Sequence, residues 1–243
     1  MQFEFFVCNA KGTALANLGI KLGVVLAIGM GSVQTFAQSV RLTCGSLQNH
    51  YGPYDYRTDK NKLAIVEGAH FTPPVEALIR GSTTSTGPAG DIVYTLQTFP
   101  NHHRALLAIM RFGEKVKSAH PTGLPLPIEC YFERALRFRP DDLVARMIYT
   151  TFLSKNNRNP EAMQQLELVT AAAQDNAFTY YNIGLIYFDM KSYDKSLTNA
   201  HKAYALGFGS PELRDQLKSA GKWVEPEVET PKPEKPVGVE EKR

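Results

Sequence analysis

Cysteine is scarce in this chain, and its three cysteines form none of the motifs associated with thiol exchange or haem attachment. A redox-active pair has the spacing Cys-x-x-Cys, and a c-type haem needs a histidine directly after such a pair. Here Cys8, Cys44 and Cys130 are widely separated. The sequence therefore argues against an enzyme of the thiol-exchange class and against a cytochrome.

Motifs for metal, phosphate and nucleophile chemistry are missing as well. The chain has six histidines, but no HExxH signature, no glycine-rich phosphate loop and no Gly-x-Ser-x-Gly elbow. We therefore expect no catalytic residues, no bound metal and no cofactor.

An excess of charge of one sign is also lacking. The chain has 27 basic and 24 acidic residues, which give a formal net charge of +3. Nucleic-acid-binding domains show a clear basic footprint, so we expect no nucleic-acid partner. Arg134, Arg137 and Arg139 form a basic group, and their alternation with apolar residues favours a solvated helix face.

The amino terminus contains an apolar run that is short for a membrane span. Leu22–Val33 follows Lys11 and Lys21, whereas a spanning helix needs about 20 apolar residues. The triplet at 35–37 offers a small-x-small cleavage site. We interpret residues 1–37 as a signal peptide that exports the chain to the periplasm, with no stable membrane span after cleavage. An uncleaved anchor is the alternative.

The carboxyl terminus has a different composition. Residues 224–243 consist largely of Pro, Glu, Lys and Val. Such a segment cannot bury enough apolar area to offset the entropy of ordering it. We predict a disordered tail.

Between these ends, three segments repeat at a step of 34 residues. Residues of similar size recur in the columns Ile128/Ala162/Ser196, Phe132/Leu166/Ala200 and Ala135/Val169/Ala203. A period of this length is typical of stacked helical hairpins, because one hairpin cannot bury its own apolar face.

The period and its residues resemble the tetratricopeptide repeat (TPR), a helix–turn–helix unit. The third copy begins at Ala177 and has the family's residue types at Tyr180, Ile183, Gly184, Tyr187, Tyr193, Ser196, Ala200 and Ala203. The second begins at Leu143 and keeps Tyr149, Leu153, Ala162, Leu166 and Val169, with Thr150 in place of the glycine. In the first copy only the second helix matches, at Ile128, Phe132, Ala135 and Pro140.

The first helix of the first copy departs from the pattern. Val116 and Ala119 stand at the positions of the Gly and Tyr, and His120–Pro127 lengthens the turn. The resemblance implies an all-α fold: a TPR-like solenoid of about three repeats over 101–223, closed by a C-terminal capping helix.

Residues 38–100 are expected to form an irregular N-terminal cap segment on the first repeat. Lys62–Phe71 is apolar enough for a strand or a short helix, and 72–76 opens a brief helix. Asp91–Phe99 has the composition of a strand or a linker. Phrases such as Tyr54-Asp55-Tyr56-Arg57 and Asn101-His102-His103-Arg104 resemble exported proteobacterial TPR proteins without an assigned activity.

Two cysteines remain after the signal, Cys44 and Cys130. In an oxidising compartment such a pair is a disulfide candidate that would tether the cap to the first repeat. The alternative is two unpaired thiols.

The resemblance also implies a binding groove, because TPRs hold an extended or helical peptide against their first helices. The corresponding positions here are Val144, Met147, Thr151, Ser154, Phe178, Tyr181, Asn182, Leu185 and Phe188. These residue types suit a mainly apolar peptide. We expect a protein or peptide partner in the cell envelope, and self-association through the repeat ends is possible. Tyr181 and Phe188 could instead pack against a neighbouring repeat or the cap.

The histidines support an alternative in which the chain is a metal-binding or enzymatic factor. That function needs His50, His70 and either His102 or His103 to converge on one site. Adjacent helical residues point about 100° apart, so His102 and His103 cannot both face one ion. The simpler interpretation is that one of them binds the cap segment while Asn101 caps the following helix.

Overall fold

The structure is a computed structural model that describes residues 44–82 and 87–226. Within these ranges it contains helices and no strands, which confirms the all-α prediction. The ten helices are α1 (Lys60–His70), α2 (Pro73–Glu76), α3 (Pro88–Thr98), α4 (His103–Val116), α5 (Ile128–Phe138), α6 (Leu143–Lys155), α7 (Asn159–Ala172), α8 (Ala177–Asp189), α9 (Tyr193–Ala205) and α10 (Glu212–Ser219). The predicted signal peptide and residues 227–243 of the predicted tail lie outside the described residues. No helix in the described ranges is long and apolar enough to cross a bilayer.

Helices α4 to α9 form three successive hairpins, in which α4 packs on α5, α6 on α7 and α8 on α9. The first helices of the hairpins also contact one another in order, α4 with α6 and α6 with α8. Helix α10 contacts both α8 and α9. It therefore occupies the place that the first helix of a further hairpin would take.

The starts of these first helices are fixed by side-chain caps. Asp142 accepts a hydrogen bond from the Ala145 N–H (3.0 Å), and Asn176, one period later, accepts one from the Thr179 N–H (2.9 Å). Such caps stabilise a helix by about 1 kcal/mol because they satisfy an otherwise unpaired donor. At α4 the capping residue is His102, so the prediction that Asn101 caps this helix was wrong.

The first hairpin differs from the others in its turn. Residues 117–127 connect α4 to α5, whereas 156–158 and 190–192 suffice in the next two hairpins. Gly113 lies against Ile128, so that an added Cβ would meet its Cγ1 at 3.1 Å, and Gly184 lies in the same way against the backbone of Ser196. Gly113 is therefore the small residue of this hairpin. Aligning Val116 with that position was wrong because the longer turn shifts the register of α4.

The N-terminal segment is more helical than expected. Helices α1 and α2 lie where a strand or short helix and a brief helix were predicted. Asp91–Phe99 lies almost entirely in α3, which corrects the prediction of a strand or a linker. A short apolar run cannot be assigned from periodicity alone, and here Pro88 starts the helix while Ile92 and Leu96, one turn apart, are fully buried.

This segment is attached to the hairpins in two ways. Helices α2 and α3 pack on α4. A disulfide joins Cys44 to Cys130 of α5, with their Cα atoms 5.1 Å apart. The predicted pairing of these cysteines is confirmed, and it links residues that are 86 positions apart in sequence.

Candidate functional site

The residues predicted to line a groove lie on α6 and α8, and Phe178 is the most exposed of them. Its side chain opens the first turn of α8 and is 51% exposed. Leu185 and Phe188 follow on the same helix and are half-buried beside the core of the second and third hairpins. Asn182, also half-buried, donates a hydrogen bond from Nδ2 to the Phe178 carbonyl (2.8 Å). Helix α8 thus presents a strip of apolar side chains with one amide beside it.

Tyr181 is part of the fold rather than of an open surface. It is buried, its ring stacks on Phe208 at a centroid distance of 4.2 Å, and its hydroxyl lies 3.1 Å from Ser210 Oγ. Both neighbours lie in the loop between α9 and α10. Tyr181 therefore packs within the fold, which agrees with the alternative hypothesis that it contacts a neighbouring part of the chain.

The α6 positions carry less exposed surface. Met147 is buried in the same apolar cluster as Tyr181. Thr151 donates its hydroxyl hydrogen to the Met147 carbonyl (3.1 Å), and the Ser154 hydroxyl lies 3.3 Å from Asn159 Oδ1. The polar groups of these residues are therefore satisfied within the chain, and α6 extends the strip without adding a polar anchor.

A cleft of about 720 Å³ separates Phe188 from α10. Its α10 side is lined by Glu212, Asp215, Gln216 and Ser219. These residues follow Phe178, Tyr181, Asn182 and Leu185 by one period of 34, so they hold the same helix positions as the predicted groove residues. Sequence reasoning missed them because it treated α10 only as a cap, although one more step of the period would have found them.

We define the groove face as the half-buried and exposed residues at these positions on α6, α8 and α10. It is apolar on α8 and acidic on α10. In the described part of the chain, neither Glu212 nor Asp215 belongs to an ion pair. Glu212 Oε1 accepts a hydrogen bond from Gln216 Nε2 (3.3 Å) within α10.

A second set of polar residues lies where the N-terminal segment meets α4 and α6. Buried Asn101 donates from Nδ2 to Asp55 Oδ1 (2.7 Å) and to Asp142 Oδ2 (2.8 Å), while its Oδ1 accepts from the Tyr56 N–H (3.0 Å). One amide side chain thus connects two buried carboxylates from distant parts of the chain. We call this cluster the Asn101 junction.

Arginines lie beside both carboxylates of the Asn101 junction, since Arg57 Nε is also 3.7 Å from Asp142 Oδ2. Arg57 pairs with Asp55 at 2.8 Å, and Arg139 lies 2.8 Å from the same carboxylate. Hydrogen bonding to Arg57 holds the pKa of Asp55 well below its usual range, against the effect of burial. Asp142 is 2.9 Å from His103 Nε2. Burial raises the pKa of Asp142, but the hydrogen bonds from His103 and the Ala145 N–H lower it by more. The net shift of this pKa is therefore downward.

The histidines do not converge on one site. His70 Nδ1 lies 2.8 Å from Asp91, His102 Nε2 lies 3.0 Å from Glu67, and His103 is held by Asp142. His50 is exposed on the segment before α1. Among the residues that the structure describes, no three His, Cys, Asp or Glu side chains are grouped so that they could hold a metal. The contact between His102 and Glu67 of α1 does confirm that a histidine binds the cap segment.

The Asn101 junction was only partly visible in the sequence. Pro100-Asn101-His102 and Pro140-Asp141-Asp142 are equivalent loops, each ending in the residue that caps the next helix. That similarity could have placed Asp142, but the approach of Asp55 depends on the path of an irregular segment. Comparison with known proteins assigns no family: no family model, curated protein or solved structure matches the chain.

Proposed function

We propose that the chain is an exported, TPR-like interaction module of the cell envelope, which binds a mainly apolar segment of a peptide or protein along the groove face. The observation that carries this proposal is the exposure of Phe178 at the start of a strip that continues through half-buried Leu185 and Phe188. The strip lies on first helices of hairpins, where the resemblance places the groove.

Aromatic side chains in such positions are effective binding anchors. Burying a fully exposed Phe contributes about 1.5–3 kcal/mol, and interface hot spots are enriched in aromatic residues. Because Phe178 is 51% exposed, its burial by a partner corresponds to roughly a four- to twelvefold gain in affinity.

The acidic side of the groove face adds a preference for charge. Glu212 and Asp215 line the cleft next to Phe188. Charges at the edge of an interface mainly set orientation and association rate. A partner segment with a Lys or Arg next to its apolar residues fits this arrangement.

The contacts of the described N-terminal residues, 44–82 and 87–100, support a groove face that this part of the chain does not fill. Its hydrogen bonds and disulfide go to α4, α5 and the loops before α4 and α6. Among the described residues, Tyr181 is stacked by Phe208, and Phe188 meets Tyr193 edge to face at a centroid distance of 5.4 Å. Both partners follow α8 in the chain and do not belong to the N-terminal segment. The disulfide also suits an oxidising compartment such as the periplasm.

Two matched variants test the proposal in the native host. Phe178→Asp changes the groove face, whereas Leu168→Asp changes a residue of α7 that is similarly exposed, at 53%. We expect envelope proteins that co-purify with the wild-type chain and with Leu168→Asp but not with Phe178→Asp. If the two variants retain the same proteins in the same amounts, the groove face is not the binding surface. Loss of a dimer in sedimentation of Phe178→Asp would instead identify a second copy as the occupant.

A further inference from the structure

We propose that a small cavity beside the disulfide is a binding site for a small carboxylate anion. The cavity has a volume of about 130 Å³ and lies between the segment after Cys44, the end of α3 and helix α5. Its polar lining consists of Ser46, Gln48, Asn49, Gln97, Tyr131 and Arg134. The site is separate from the groove face, so this proposal does not depend on the proposed function.

Arg134 supplies a buried positive charge to this cavity. The expectation that it lies on a solvated face was wrong, because the residue is only 6% exposed. Its Nη1 donates to the carbonyls of Cys44 (3.1 Å) and Ser46 (2.5 Å). In the described ranges no carboxylate lies within ion-pair distance, and neither Nε nor Nη2 has a hydrogen-bond acceptor.

A buried cation without a counter-ion is unfavourable. The effective cost of burying one ion is several kcal/mol unless it is paired. Burial accordingly lowers the pKa of Arg134, and the charge of neighbouring Arg137 lowers it further. An anion in the cavity would remove this cost, since the lining residues include no acidic side chain.

Tyr131 supplies a second donor. The residue is 2% exposed, and its buried hydroxyl has no hydrogen-bond partner within normal distance and angle. The Leu126 backbone is close enough to the hydroxyl to lower its pKa. Burial raises its pKa to about 12, while Arg134 and the Leu126 backbone oppose this rise. The hydroxyl therefore keeps its proton at neutral pH and can donate it to an acceptor. An unsatisfied buried hydroxyl costs about 1–3 kcal/mol, which an anion would recover.

The size and donors of the cavity indicate the class of ligand. A volume of about 130 Å³ corresponds to roughly four water molecules at about 30 Å³ each. A planar carboxylate of acetate size fits this space. It can also accept two parallel hydrogen bonds from a guanidinium, the geometry that Arg favours.

Calorimetric titration of the full chain with acetate tests this proposal, using chloride to keep the ionic strength constant. We expect saturable binding at one site with the disulfide intact. Arg134→Gln should abolish it. Tyr131→Phe should weaken it about tenfold, the lower range for a hydrogen bond to a charged group.

Arg137→Gln is the matched control, because this exposed arginine donates to the Gly45 carbonyl and does not line the cavity. It should change acetate affinity less than twofold. No saturable binding to the wild-type chain, or equal affinities for wild type and Tyr131→Phe, would overturn the proposal. The second comparison is decisive even if Arg134→Gln fails to fold.

Discussion

His102 makes the stability of this protein depend on pH in a way that can be calculated from its contacts. The ring is fully buried, between Tyr56 (4.3 Å between ring centroids) and Phe71 (4.8 Å). Its Nδ1 accepts the Ala105 N–H at the start of α4, and its Nε2 lies 3.0 Å from Glu67 Oε1. Only the neutral ring with its proton on Nε2 satisfies both contacts.

Burial lowers the pKa of His102 to about 3, and the charge of Arg104 acts in the same direction. The Glu67 carboxylate favours the charged ring, but protonation of Nδ1 would break the cap of α4. In the unfolded chain the pKa returns to about 6.5. Between these two values the unfolded chain binds a proton that the folded chain does not. The stabilisation is therefore complete above about pH 6.5 and is lost as the pH falls towards 3.

The size of the effect follows from the same two values. Each pH unit well below 6.5 costs about 1.4 kcal/mol, so lowering the pH from 7 to 5 should reduce the free energy of unfolding by about 2 kcal/mol through His102 alone. The assay is urea unfolding of the wild-type chain and of His102→Asn at both pH values. Asparagine can still cap the helix but does not titrate.

His102→Asn should be less stable at pH 7, because it leaves space in the core and loses the contact with Glu67. The informative quantity is the difference between wild type and variant in the free energy of unfolding lost from pH 7 to pH 5, because the contributions of the other histidines cancel in that difference. The wild type should lose about 2 kcal/mol more than the variant. If both lose the same amount, or if the wild type becomes relatively more stable at pH 5, Glu67 outweighs burial and the reasoning is refuted.

Three further variants test the contacts that hold separate parts of the fold together, and urea unfolding measures their cost in stability. Asn101→Ala should cost about 3–5 kcal/mol, because it removes hydrogen bonds to two buried, ionised carboxylates. Replacing Cys44 and Cys130 together by Ala should cost about 4 kcal/mol, as expected for opening so long a loop. Gly184→Val should cost about 1–3 kcal/mol, because its Cβ would lie 2.5 Å from Leu213 Cδ2.

Each of these variants has a control within the chain. Asn182→Ala removes an amide that bonds only within its own helix and should change the free energy of unfolding by less than about 1 kcal/mol. Gly68→Ala, in open space on α1, should stabilise by about 0.5–1 kcal/mol. A reductant should destabilise the wild type but not the double cysteine variant. Costs for Asn101→Ala or Gly184→Val no larger than those of their controls would contradict the described packing.

The periodic part of the fold was predictable because side-chain size recurs with the helices. Ala162 and Ser196 share a column and are both fully buried. The bridge between Cys44 and Cys130 was predictable because few cysteines leave few pairings. In the first case a local repeat in side-chain size predicts which helices pack together, and in the second the small number of cysteines predicts which two are bonded.

The remaining features depend on contacts that leave no periodic signal. The run that became α3 is too short for its period to distinguish a strand from a helix. Arg134 alternates with apolar residues like a surface residue, yet the segment tied down by Cys44 covers it. The same applies to Asp55, whose partners Asn101 and Arg139 come from two different loops. These residues are brought together by the path of the irregular segment, which propensities do not determine.

The most direct test of the proposed interaction module is photocrosslinking in the native host with a benzoylphenylalanine probe at single positions. Positions 178 and 185 place the probe on the groove face, and position 168 places it on a similarly exposed part of α7. We predict the same heterologous protein adduct from 178 and 185 and no such adduct from 168. Equal adducts from all three positions, or none from α8, would contradict the assignment of the groove face as the binding surface.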